Sequence, residues 1–133
     1  MADTTKKPAK GQTTGAGPGP AFDPEEFRDE LDGVLENRQI GNTIWFENDR
    51  IRVWDVSLHP GERLPFHCHD EDYFWTATDG GRILQRYDDG TSRIVDVEVG
   101  ETNFLTYSGD ERTIHDLENI GDTFVRTVTV VLK

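Results

Sequence analysis

The distribution of apolar positions divides the chain at about residue 42. Before that point a single helical signal stands out. Asp23 is suited to cap a helix, Pro24 to the first helical position, and Glu26 to complete a capping box. Phe22 and Phe27 are spaced to close a hydrophobic staple. Phe27, Leu31, Val34 and Leu35 then form one apolar face, so a helix is predicted over about 23–38, weakened by Gly33. It should pack on the outside of the domain or cover an open end.

Beyond Asn42 the pattern changes to period two and to short runs rich in β-branched residues. Strands are predicted over 43–47, 50–58, 64–69, 73–78, 82–87, 92–97, 102–107, 113–117 and 123–132. Turn chemistry separates them, as at Asn48-Asp49, Pro60-Gly61, Asp79-Gly80-Gly81, Asp88-Asp89-Gly90 and Gly121-Asp122. Many short strands at regular spacing predict an all-β sandwich or barrel. The 133 residues favour one domain, 22–133, after a tail, 1–21, rich in Gly, Pro and Thr and read as disordered.

Within this pattern two of the four histidines fall in the run His67-Cys68-His69. Residues i and i+2 of a strand share a face, so both imidazoles project to one side and Cys68 to the other. Two imidazoles on one face can clamp a divalent cation. On its own the His-x-His pair is weak, because two surface histidines at a strand end give the same letters. Gly61 precedes it and Gly80-Gly81 follows; a second block runs from Gly100 to His115 and Asn119.

These offsets together resemble the two motifs of the cupin superfamily over about residues 43–132. Gly61, His67, His69 and Gly80 fall on the first motif, and Gly100, His115 and Asn119 on the second. The resemblance implies a jelly-roll-like double-stranded β-helix barrel, with a metal inside held by His67, His69 and His115. Tyr73-Phe74-Trp75-Thr76 and His115-Asp116-Leu117-Glu118-Asn119 are further similar to a group of short stand-alone cupins, some found near β-alanine degradation genes. Two departures stand out. Tyr73 occupies the place of the family's Glu, with Asp72 or Glu71 as substitute carboxylates, and the segment 106–114 lacks the Pro-x-Gly turn and is longer. The site therefore reads as three histidines with open coordination positions.

Such a centre suits Fe(II) first, with Mn, Ni, Co or Zn as alternatives. The function expected is a metal-dependent enzyme on a small organic acid or its derivative, most simply a non-haem Fe(II) dioxygenase-type reaction. Lyase, decarboxylase or isomerase chemistry and a non-catalytic ligand-binding or sensing module are the alternatives. Tyr73 is the candidate acid/base if it points inward, or else a core tyrosine. Trp75 is candidate pocket wall. Arg86 is a candidate carboxylate clamp and Gln85 a substrate contact, although they lie on opposite faces of one strand. Arg82 shares the face of Arg86, and Arg52 has the same ambiguity of parity. His59, beside Pro60-Gly61, reads as exposed.

Charge narrows the partners. The formal charge is -12, and residues 21–133 carry -14, from ten Arg and Lys133 against twenty-five acids. Such a surface repels phosphate backbones and anionic membranes, so neither nucleic acid nor membrane is expected. No run of eighteen apolar residues is present. One cysteine, Cys68, allows no intrachain disulfide and fits a cytoplasmic setting. A homodimer through the long final strand is a further expectation.

Overall fold

The computed structural model describes residues 17–133. Two five-stranded antiparallel sheets face each other. The strands are β1 (Gly17–Pro18), β2 (Thr43–Glu47), β3 (Ile51–Leu58), β4 (Arg63–His69), β5 (Tyr73–Asp79), β6 (Gly81–Arg86), β7 (Ser92–Val97), β8 (Thr102–Leu105), β9 (Thr113–Asn119) and β10 (Val125–Leu132). One sheet has the order β1-β7-β6-β9-β4, the other β2-β3-β10-β5-β8. Every strand predicted from the sequence is present, most within two residues of its expected ends. Gly61 and Gly100 sit in turns at φ 85° and 86°, backbone that only glycine adopts readily.

Two expectations about the N-terminal region are corrected. Residues 1–16 of the expected tail lie outside the described residues. Residues 17–21 are not a loose tail: Gly17 and Pro18 pair with Ile94 and Arg93, and the Phe22 N–H donates to the Gly90 carbonyl. The single helix over 23–38 is three short pieces, a 3-10 turn (Pro24–Phe27), α1 (Arg28–Leu31) and a second 3-10 turn (Val34–Glu36). Asp32 turns extended (ψ 117°) and Gly33 takes a left-handed φ of 76°, which no continuous helix accommodates. The cap is as expected at Asp23, whose carboxylate accepts the Glu25 N–H at 3.0 Å. The staple closes, with Phe22 and Phe27 edge to face at 5.6 Å. Leu35, expected on the apolar face, is exposed because the break rotates it away.

What this strap covers matters for the site. Phe22, Phe27, Leu31 and Val34 pack on Phe66, Cys68 and Ile114, the outward side chains of β4 and β9. Full burial of Phe66 alone stabilises by about 1.5–3 kcal/mol. The strap thus holds from outside the two strands whose alternate residues face inward. The final strand, β10, lies between β3 and β5 in the middle of its sheet, so it has no free edge through which a dimer could form. Among the described residues, no helix is long and apolar enough to cross a membrane.

Candidate metal centre

The inward turn of the histidines depends on a bulge. β4 and β9 pair Leu64 with Leu117 and His67 with His115, so one extra residue is accommodated on β4 between them. Leu64 and His67, three apart, therefore both point into the barrel, where an unbroken strand would put them on opposite faces. Pro65 sits within this bulge on an edge strand, where its missing N–H leaves no ladder bond unmade. From His67 onward the alternation is regular. His67 and His69 point in, and Phe66 and Cys68 point out under the strap.

His67 stands directly opposite His115, and His69 opposite Thr113. All three histidines are buried. Their ligand-capable nitrogens lie within 4.8 Å of one another, and the Nε2 atoms of His67 and His69 are 3.1 Å apart. The other ring nitrogens of two of them are committed. His67 Nδ1 is 2.8 Å from the Pro65 carbonyl, which fixes it as the N–H donor and leaves Nε2 with a lone pair. His115 Nδ1 is 3.1 Å from Gln85 Oε1, with the same consequence. Burial pushes His67 down to about 4, and burial and the neighbouring imidazoles hold His69 and His115 well below their ordinary value. The three neutral rings turn their ligand-capable nitrogens toward one another. The donor set fits a divalent metal.

The cavity beside the histidines has a volume of about 80 Å³. Tyr73, Trp75 and Gln85 all line it, so the inward parity of β6 is that of Ile83 and Gln85. The Tyr73 ring stacks on His69, with centroids 4.3 Å apart and planes 18° apart. Burial raises its hydroxyl well above the ordinary phenol range. Tyr73 is hydrogen-bonded to Tyr107. Tyr107 in turn meets the Thr113 hydroxyl at 2.8 Å.

Arg86 is not in the cavity. Its guanidinium lies on the outer face, 2.8 Å from both Asp116 and Glu118, and over the Phe27 ring. The physical reason is parity: Arg82 and Arg86 share the face opposite Gln85, and Arg82 is exposed and paired with Asp96. Arg52 pairs with Glu47. Neither substitute carboxylate joins the histidines. Asp72 accepts the Tyr107 N–H at 2.8 Å, and Glu71 is exposed. His59 is exposed, against Phe124. The motif Asn119 is a structural tie, donating to the Leu58 and Thr123 carbonyls.

Sequence reasoning missed three participants. Thr113 was accessible to it, because it shares a strand face with His115. Tyr107 ends the strand predicted over 102–107 but lies beyond β8, in the enlarged loop before β9, so the strand pattern did not tie it to the histidines. The third is an ion-pair network behind the site. Asp116, fully buried, accepts from Arg63 Nε at 2.7 Å, and from the Arg86 backbone N–H and Nη1, both at 2.8 Å. Arg63 also grips Glu30 of α1 through two bonds.

The Gln85 contact makes a direct prediction. Gln85→Leu keeps the side-chain volume and removes the acceptor that orients His115. Metal affinity should fall about 10–100-fold with little change in the thermal midpoint of the metal-free protein, measured by competition with a chelating dye.

No family model matches the chain, and no curated protein matches it. Solved structures do. A cupin domain from Bordetella pertussis superposes with a TM-score of 0.60 at 23% identity, over 68% of this chain and 90% of that one. An uncharacterized conserved protein with a double-stranded β-helix domain, from Klebsiella pneumoniae, gives a TM-score of 0.53 at 18% identity, over 84% and 82% of the two chains. At these identities the likeness is one of fold, and it agrees with the architecture described above: the chain has the double-stranded β-helix fold of the cupins.

Proposed function

We propose that the protein is a metal-dependent cupin enzyme acting on a small organic acid or derivative, through a dioxygenase-type reaction at a three-histidine centre. The observation that carries this reading is the donor set itself: three neutral imidazoles converge with no carboxylate among them. His67, His69 and His115 would hold the ion. A divalent metal, Fe(II) foremost, would supply an uncompensated charge and open positions for redox or Lewis-acid chemistry. The chain's own groups do the rest. The Pro65 carbonyl and Gln85 orient His67 and His115. The largely apolar wall lowers the local dielectric, which strengthens polar contacts at the site. Tyr73 keeps its proton at Oη and presents it beside His69 as the acid of the site.

Protein purified without chelators should carry about one equivalent of metal per chain and consume oxygen with a suitable acid. Absence of bound metal, together with a melting temperature indifferent to EDTA, would overturn the reading. Tyr73→Phe should retain the metal and lose about 10²–10⁴-fold in turnover. Unchanged turnover would reduce Tyr73 to a packing role.

A further inference from the structure

Resting on the metal-centre reading, the cavity wall says more about what can bind. Of its eighteen lining residues none is Asp, Glu, Lys or Arg, and nine are Ile, Leu or Val. The polar lining residues other than the histidines are Tyr73, Trp75, Gln85, Thr113, Thr127 and Thr129, all uncharged. Gln85 Oε1 already accepts from His115, and the Thr113 hydroxyl already meets Tyr107. The cations near the barrel are committed elsewhere. Arg86 and Arg63 are tied to Asp116 behind the sheet, Arg52 to Glu47, and Arg38 to Asp70.

A buried charge without a counter-charge is strongly disfavoured, and this wall offers an opposite charge to neither sign. The one place where a negative charge can be neutralised is the metal. Size adds a second limit. A cavity of about 80 Å³ is about half the ~150 Å³ that admits a six-carbon ring, so only a short body fits beyond the metal-bound end.

We infer that the site selects a short molecule with a single metal-binding end and an uncharged, mostly apolar body, the class of short-chain aliphatic monoacids. Dicarboxylates are excluded, because a second carboxylate finds no cation to meet it.

The test loads the full chain with Co(II), follows the visible Co(II) absorbance, and titrates in butyrate, isobutyrate and succinate. Butyrate or isobutyrate should bind at least a hundredfold more tightly than succinate. An affinity of succinate within a few fold of that of butyrate would overturn this inference while leaving the metal centre intact. Failure to take up Co(II) would overturn the metal-centre reading and this inference with it. A wall variant supplies an independent check. Val97→Ala enlarges the cavity at its less deeply buried side, and should raise the ratio of pentanoate to butyrate affinity at least fivefold at unchanged Co(II) affinity. An unchanged ratio in a variant that melts normally would show that this wall does not set ligand size.

Discussion

His67→Ala removes metal binding altogether at micromolar metal: the variant is expected to carry well under a tenth of the metal per chain found in the parent protein. His67 is the residue to change because its ring lies nearest to both of the others, with centroids 4.9 Å from His69 and 4.8 Å from His115 against 5.1 Å between those two. If a four-ligand site contributes roughly 10–16 kcal/mol, one ligand is worth about 3–4 kcal/mol, or close to a thousandfold in affinity. The same variant should lose the stabilisation that metal confers on the folded state. In the parent protein, metal at a hundred times its dissociation constant adds about 2.7 kcal/mol to unfolding. Denaturant melts with and without metal should separate for the parent and coincide for His67→Ala. A variant that kept its metal would move the site away from this trio.

The second large effect lies outside the barrel. Asp116→Ala should destabilise by about 3–5 kcal/mol, because it strips a fully buried carboxylate from two guanidinium groups. For a domain of this size the loss corresponds to a fall of roughly 10–20 °C in melting temperature. Asp116→Asn, which keeps the shape and one acceptor oxygen, should cost about half as much. The damage is to the clamp and not to the ligands. Arg63 links β4 to Glu30 of α1, and Asp116 links both arginines to β9. Metal affinity measured well below the melting temperature should therefore change by less than tenfold. If neither substitution shifts the melt, the network is surface decoration.

The contrast between these variants reflects what was legible in the sequence. Period-two alternation is a local signal, so strands from Thr43 onward and the shared face of His67 and His69 could be read directly. The placement of Gly61, Gly100 and His115 on known offsets carried the barrel. What could not be read depended on neighbours. The bulge at Pro65 shows itself only through the partner strand, and the break at Gly33 is a contest between a weak helix and the shape of the sheet it covers. The parity of β6 is undetermined until Ile83 and Gln85 are seen inside, which is why Arg86 was expected in a site it backs from the other side. The central place of β10 follows from sheet order, which no single strand encodes.

The pairing of His67 with His115 has a consequence for how the barrel is checked as it forms. The two residues are forty-eight positions apart in sequence, yet the centre exists only when β4 and β9 meet in one register. A slip of one residue turns the histidines of the slipped strand outward and scatters the ligands. An ion held by this trio would therefore bind the correctly aligned barrel and not its near misses. It would act as a proofreader of strand alignment, whatever reaction it served.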